Sequence, residues 1–478
     1  EYGAIGCLIY SDPRDDGYYA GDVYPVGPYR PEFGAQRGSV MDMPVHAGDP
    51  LTPGWGSEPG GKKNRIEDSQ TILKIPVLPI SYGDALPILR QLKGKVVPND
   101  WKGALPITYH VGPGPAQVHM NLKFEWKNRP LHDVIVRIPG ATRPDEWIIY
   151  GNHHDAWVNG ASDPLSGATA LLETARALAE LTKQGWKPKR TIKIAFWDGE
   201  EFGLVGSTEW VEKHYEELRG HAAVYINSDS NGTGAYGASG SPSLEKFFKE
   251  VMRDVTLPGG ATTVLDSFNG AKRPVEAHLG PVGSGSDYVG FFAHAGIASL
   301  NIGFDANSAG VYHSIYDSLD WYRKFSDGNG VFGKAQAQVS LTALLRLAEA
   351  PTLPLEFTEL SSAVLRYVEE IRKDAPSVDL RGVEAQARAL SQVAASLDVR
   401  HPSNDVLRRA EQALTLPDGL PGREWYRHQI SAPGLYTGYG AKTLPGIREA
   451  VEAKRFDEAN AQAQRVAQVL GALVRLLQ

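Results

Sequence analysis

A chain of 478 residues exceeds one comfortable hydrophobic core and is expected to divide into two or three domains. Its 42% hydrophobic and 22% charged residues are those of an ordinary soluble globular protein, and a net charge of −7 without a basic patch interleaved with aromatics argues against a nucleic-acid partner. No apolar run is long enough to span a bilayer. The single cysteine, Cys7, cannot form an intrachain disulfide, and within the apolar run Ile5–Tyr10 it reads as a buried, inert thiol.

The chain begins at Glu1 in strand-like sequence, without Met or a signal segment, and reads as a processed or truncated piece. Residues 1–126 are rich in Gly, Pro and Tyr from Gly17 to Gly61 and then carry short strand-like runs, Ile75–Ile80 and Leu105–Val111, which points to a small β-rich or α+β domain. Across residues 127–350, apolar strand-like runs alternate with helical segments at Ala168–Leu181, Thr208–Leu218, Ser243–Val255, Ser286–His294 and Ala335–Ala348. That alternation argues for an α/β fold, a doubly wound mixed sheet with helices on both faces. Residues 351–478 show apolar residues at helical spacing in Leu355–Asp374, Val383–Leu397, Asn404–Leu414 and Ile447–Leu477, a helical domain packing on the preceding one.

The chemistry-bearing residues follow the strands. The run Trp147–Tyr150 reads as a buried strand that stops at Gly151 and delivers His153 and Asp155 beyond its end; Asp163-Pro164 then precedes a helix. Arg190–Asp198 reads as a second strand leading to Glu200 and Glu201, Ala222–Asp229 as a third ending in Asp229, and Ile297–Gly303 as a fourth followed by Tyr312-His313. In open α/β sheets ligands bind at the carboxyl ends of the strands. Two histidines and three carboxylates there can hold two divalent ions if one carboxylate bridges them, since zinc accepts nitrogen and oxygen donors.

Asp163 is the natural bridge, with His153 and Asp229 on one zinc and Glu201 and His313 on the other. Asp155 has the spacing of a carboxylate that fixes the His153 tautomer, and His154 is expected to face away. Neighbouring glutamates are usually a solvated pair. Glu200, however, sits beside a ligand and can act as general base, taking a proton from a metal-bridging water of lowered pKa and passing it to a departing amine. The chemistry this points to is amide hydrolysis.

The motifs H-x-D and D-P-x-S-G, then W-D-x-E-E-F-G-L-x-G-S-T-E-W over Trp197–Trp210, then N-x-D-S, G-S-G-x-D and Y-H-S-x-Y resemble the co-catalytic zinc exopeptidases of the glutamate carboxypeptidase II and transferrin receptor group, over nearly the whole chain. The resemblance implies that His153, Asp163, Glu201, Asp229 and His313 are the zinc ligands and Glu200 the catalytic base. It further implies that Tyr312 helps polarise the scissile carbonyl, and that Ser284-Gly285 and Tyr439 meet the substrate. By the same resemblance residues 1–126 are a partial protease-associated (apical) lid, 127–350 the di-zinc peptidase domain, and 351–478 a helical dimerisation domain whose loop Ala432–Gly446 reaches the pocket. A homodimer and a secreted or periplasmic location are expected on the same ground. Asp163-Pro164 is a plausible cis peptide. Thr52 to Trp55 with Glu209 and Glu212 match a calcium site tying lid to peptidase domain, although spacing alone makes the two glutamates a solvated helix face.

The chain departs from the glutamate-preferring members of that group. Ser39 follows Gln36-Arg37-Gly38 where they carry asparagine, Gly438 replaces a lysine before Tyr439, their arginine patch aligns with Ser239, Asn301 and Gly303, and Ser286 replaces another asparagine. A substrate carboxylate buried without a cation costs several kcal/mol, on the order of the penalty for any unpaired ion. N-acetyl-aspartyl-glutamate is therefore expected to be a poor substrate and neutral peptides better ones, cleaved as a carboxypeptidase or an aminopeptidase. Asp305, before His313, is a candidate for holding a substrate ammonium, against its plainer reading as a loop aspartate. Two other functions fit the scaffold: a non-catalytic transferrin-receptor-like binding protein, and an amidase or cyclase acting on a non-peptide amide.

Overall fold

The computed structural model describes residues 3–270, 277–307, 310–397 and 401–478. Regular structure is sparse at the N-terminal end, where β1 (Cys7–Ile9) pairs in parallel with β2 (Val77–Pro79). Successive side chains of a strand point to opposite faces. Leu8 is half-buried while Cys7 and Ile9 face solvent, so the cysteine is exposed and not buried as its apolar neighbours suggested. The run Leu105–Val111 makes a single bridge, His110 to Val96, and no strand. Pro106 and Pro113 within and beside it cannot donate to a ladder.

The centre of the molecule is a six-stranded sheet. Its strands are β3 (Val134–Ile138), β4 (Arg143–His153), β5 (Arg190–Trp197), β6 (Ala222–Asn227), β7 (Tyr236–Gly240) and β8 (Ala298–Phe304), in the spatial order β3-β5-β4-β6-β8-β7. The four inner strands run parallel and both edge strands antiparallel, which makes the sheet mixed.

The inner strands are buried on both faces, the reason they read as near-continuous apolar runs. In β4, Ile148 and Tyr150 join one core with Ile192, Ile194, Val224 and Ile226, beneath the helices Leu165–Lys183 and Val331–Glu349. Trp147 and Ile149 join the opposite core with Trp197, Tyr225, Val211 and Phe291. The helices Thr358–Asp374, Arg381–Ala394 and Phe456–Leu477 contribute to the first of these cores, so the C-terminal helical segment and one face of the sheet share one apolar interior.

Several boundaries differ from the sequence reading, each for a local reason. β4 does not stop at Gly151 but runs through His153, because Gly151 to His153 keep their pairing with Ala195 to Trp197. Edge strands β3 and β7 went unread: Val134 and Val136 lie exposed on β3, and β7 is Tyr-Gly-Ala-Ser-Gly, without an apolar run. Thr208–Leu218 divides at His214 into Val205–Lys213 and Tyr215–His221. Ser286–His294 reduces to one π-turn, Gly290–His294, and Ile447–Leu477 breaks near Lys454, which adopts a left-handed conformation, into Pro445–Glu452 and Phe456–Leu477. Asn404–Leu414 becomes the helix Asn404–Arg408 and a 3-10 turn, Gln412–Leu414.

Gly151 has a steric role. A Cβ there would stand 2.4 Å from both Trp197 Nε1 and the Tyr225 hydroxyl, which hydrogen-bond each other at 3.0 Å beneath the site. Gly151→Ala is expected to destabilise the protein by about 1–3 kcal/mol through overpacking, read as a lowered midpoint in thermal denaturation.

Candidate functional site

The strand ends converge on one rim. His153 is the last residue of β4; Asp163 sits in the turn before Leu165–Lys183, joined to Pro164 by a cis peptide; Glu200 and Glu201 follow β5; Asp229 lies two residues beyond β6; and His313 comes from the loop after β8. His153 Nε2 is 3.3 Å from Asp163 Oδ1 and 4.0 Å from Asp229 Oδ1, and His313 Nε2 is 3.4 Å from Asp163 Oδ2 and 3.1 Å from Glu201 Oε2. Each oxygen of Asp163 thus faces a different imidazole.

These separations are informative. Donor atoms around a tetrahedral zinc with bonds of about 2.0 Å stand about 3.3 Å apart, whereas a charge-assisted hydrogen bond closes to about 2.8 Å. Donor atoms of Asp163, Glu201 and His313 all lie within 4.8 Å of one another, and Glu201 Oε1 is buried without a hydrogen-bond partner. Glu200 Oε2 lies 3.8 Å from His153 Nε2.

Backbone groups orient the donors. His153 Nδ1 is 3.1 Å from the Asp155 carbonyl and 3.4 Å from its carboxylate. That carboxylate also accepts the Glu200 and Glu201 amides at 3.0 and 3.2 Å, so Asp155 fixes the glutamate turn as well as the histidine. His313 Nδ1 is 2.9 Å from the Arg37 carbonyl, and the buried Arg30 guanidinium, paired with Asp16 at 2.7 Å, reaches the Tyr312 carbonyl at 3.2 Å. Asp229 accepts from Asn227 Nδ2 at 3.1 Å and from Ser286 Oγ at 2.8 Å. His154 Nε2 instead pairs with the His132 carbonyl, away from the cleft.

Two residues that sequence reasoning missed belong here. Asp317 accepts the Ser162 amide at 2.8 Å and the Asp163 amide at 3.1 Å, tying the Asp163 turn to the His313 loop. Asn227, within the N-x-D-S motif, holds Asp229. Spacing could not reveal Asp317, because its partners are backbone N–H groups of a distant segment; for Asn227 the N-x-D-S motif was the available signal.

Crowded buried acids shift one another. Burial pushes Glu200 well above the usual carboxylate range, Asp287 and Asp229 adding to the effect against the pull of His153. Burial likewise raises Asp229, to about 6. Burial opposes the charge on His313, but hydrogen bonds to Asp163 and Glu201 outweigh it and raise the imidazole to about 9; hydrogen bonds from His153 and His313 in turn hold Asp163 below its ordinary range despite burial. Burial, with Asp163 and Tyr439 adding, keeps the Tyr312 hydroxyl protonated far above its ordinary range.

The cleft over these groups has a volume of about 190 Å³. Ser39, Met41 and Trp157 form one wall, and Ser284, Gly285 and Tyr439 another. The two halves of that second wall are stitched together, Ser284 N donating to the Tyr439 carbonyl and Ser284 Oγ to the Gly438 carbonyl, both at 3.2 Å. Tyr312 and Tyr439 both line the cleft.

The candidate calcium residues lie elsewhere. Glu209 accepts from the Asp49 and Ser57 amides and from Thr52 Oγ1, at 2.7, 2.6 and 3.0 Å. Glu212 Oε1 accepts from the Gly54 amide and Trp425 Nε1, both at 2.7 Å, and its Oε2 is buried without a partner. The backbone amide of Trp55 donates to the Thr52 carbonyl, which closes the turn beside them. These glutamates are not a solvated helix face: burial raises Glu209 to about 7, and burial together with Glu209 raises Glu212 to about 8.

Residues 133–328 match the model of peptidase family M28, and residues 356–478 the transferrin receptor-like dimerisation domain. A probable glutamate carboxypeptidase of Arabidopsis thaliana is 37% identical over 473 residues, covering 95% of this chain and 67% of its own. A probable glutamate carboxypeptidase of Arthroderma benhamiae is also 37% identical, with coverages of 95% and 67%. Aminopeptidase NAALADL1 of Rattus norvegicus is 31% identical, with coverages of 98% and 68%. The chain thus spans about two thirds of the length of these relatives. It belongs to peptidase family M28 as a metallopeptidase, in the group that joins an M28 domain to a transferrin receptor-like dimerisation domain.

Proposed function

We propose that this metallopeptidase is a zinc-dependent exopeptidase that trims small peptides, with His153 and Asp229 on one zinc ion, Glu201 and His313 on a second, and Asp163 between them. The observation that carries this reading is the placement of the two Asp163 oxygens, 3.3 Å from one imidazole and 3.4 Å from the other. The buried, unpartnered Glu201 Oε1 fits the same donor set. Zinc held by these residues supplies Lewis-acid polarisation and an acidified water.

The chain's own groups do the rest. Glu200, a carboxylate of raised proton affinity beside the ligands, takes the proton of the attacking water and hands it to the departing amine. The protonated Tyr312 hydroxyl faces the cleft and donates to the scissile carbonyl oxygen. Ser284, Gly285 and Tyr439 bound the substrate on the side supplied by the C-terminal segment. No lysine or arginine lines the cleft among the described residues, which supports neutral over acidic dipeptides.

The same proposal extends to the organisation of the chain: a partial lid over residues 1–126, the peptidase domain over 127–350, and a dimer-forming helical domain over 351–478 that pairs two copies. Export from the cytoplasm belongs to it too. Thr52, Trp55, Glu209 and Glu212 would hold one calcium ion, the orphaned Glu212 oxygen and the proximity of two buried acids supporting oxygen coordination there.

Glu200→Gln is expected to keep its zinc, measured by elemental analysis, while kcat for peptide hydrolysis falls on the order of a hundred- to ten-thousandfold. A binding protein would have no activity to lose, and an amidase or cyclase would lose turnover on non-peptide amides only. Asp317→Asn places an amide NH₂ against one of two backbone donors and is expected to weaken zinc binding by about tenfold or more, seen in chelator competition on the purified protein. The third expectation concerns pH. A carboxyl raised from 4.5 in the unfolded chain to about 7 or 8 when folded contributes stability at low pH that is lost as pH climbs through that window. A cation bound by the ionised pair offsets this loss, so the rise in Tm on adding calcium is expected to be larger near about pH 8 than near about pH 5.5.

A further inference from the structure

The cleft continues past the paired imidazoles. A second recess of about 410 Å³ shares Asp229, Ser230 and Tyr312 with it and runs along the edge of the sheet, against β7 and the carboxyl end of β8. Ser239 and Asn301 stand opposite each other in the β7–β8 register, and Asp305 follows directly on β8. All three line the recess.

The polar groups of this wall are only partly used. Asn301 Oδ1 accepts from Asn227 Nδ2 at 3.0 Å, which fixes the amide and leaves its Nδ2 without a protein partner among the described residues. Ser239 Oγ makes no hydrogen bond among them. Asp305 Oδ1 accepts the Asn307 amide at 2.8 Å, and its other oxygen has neither a hydrogen bond nor an ion pair among the described residues. Among the described residues no lysine or arginine lines the recess, and Asp305 is the one charged group on its wall away from the zinc-side acid Asp229.

We propose that this recess is a substrate subsite in which Asp305 selects a cationic group, an ammonium or guanidinium borne by the peptide residue that extends past Tyr312. The inference rests on the exopeptidase reading and adds to it the class of peptide preferred. Neutral donors and acceptors on Ser239 and Asn301 satisfy the polar backbone or head group of that residue, while the carboxylate attracts a cation and repels an acidic side chain. Asp305 is exposed, so the pair is solvent-screened and gives a preference of about two- to fivefold. The cation can come from the peptide's own amino terminus or from a basic side chain, and the two sources differ in which peptide responds.

Steady-state kcat/KM is measured in zinc-loaded enzyme for Ala-Ala, N-acetyl-Lys-Ala, N-acetyl-Ala-Lys, N-acetyl-Glu-Ala and the reference N-acetyl-Ala-Ala, in the unmodified protein, Asp305→Asn and Asp305→Lys. At least one cation-bearing peptide is expected to exceed the reference about two- to fivefold, with the ratio falling toward one in Asp305→Asn and at raised salt. In Asp305→Lys the preference inverts toward N-acetyl-Glu-Ala. A response by Ala-Ala identifies the terminal ammonium as the cation held, and a response by an acetylated lysine peptide identifies the side chain. Equal ratios in all three proteins overturn the inference while leaving the exopeptidase reading in place. Failure of every peptide to show zinc-dependent hydrolysis overturns both.

Discussion

The constraint on which the structure depends is the burial of several carboxylates and two imidazoles at one rim of a sheet. Isolated in an apolar interior, each ionised group would cost several kcal/mol, on the order of the penalty for an unpaired buried ion. The chain resolves this by arranging acids and imidazoles so that each faces the other. Asp163 stands between His153 and His313, and Glu201 stands against His313. The imidazoles hold protons more tightly than usual in that company, and those protons must leave when a metal enters. Metal affinity, protonation and the stability of the rim are therefore one coupled quantity.

Holding such a cluster requires rigid surroundings, and three parts of the chain supply them. The parallel inner strands fix His153 through continuous pairing with β5. The N-terminal segment reaches the Arg37 carbonyl to His313, anchored by the buried Arg30–Asp16 pair. The C-terminal segment brings Tyr439 against Ser284. Backbone amides take much of the charge that side chains cannot, with Asp155 and Asp317 each receiving two N–H groups while lying next to a proposed ligand. The same device recurs at Glu209 and Glu212, where amides from residues 49–57 close over two buried acids and bind the N-terminal segment to the helix Val205–Lys213.

Both cleft walls are mixed. Around the acids Met41 and Trp157 stand beside Ser39 and Ser284, and the recess along β7 sets Ile302 and Phe304 beside Ser239, Asn301 and the carboxylate of Asp305. Neither wall carries a lysine or arginine among the described residues.

By itself, the order of residues determined the inner strands and singled out the acids and histidines at their ends, since a strand buried on both faces must be apolar throughout and a change to polar residues marks its end. Ile148–Tyr150, Ile192–Ala195 and Val224–Ile226 carry that signature, and the acids and histidines that follow them are the residues the structure gathers. Tertiary structure alone decided the rest. Whether Gly151 ends a strand or continues it depends on the pairing of Gly151 to His153 with Ala195 to Trp197 of β5. Cys7 is exposed because a two-stranded ribbon has no layer to cover its outer face. The edge strands, the division of long helices at His214 and Lys454, the clamp of Asp317 on Asp163, and the recess holding Asp305 all depend on contacts between segments far apart in sequence. Local periodicity records which face of an element is apolar, but not which backbone N–H a distant carboxylate will find.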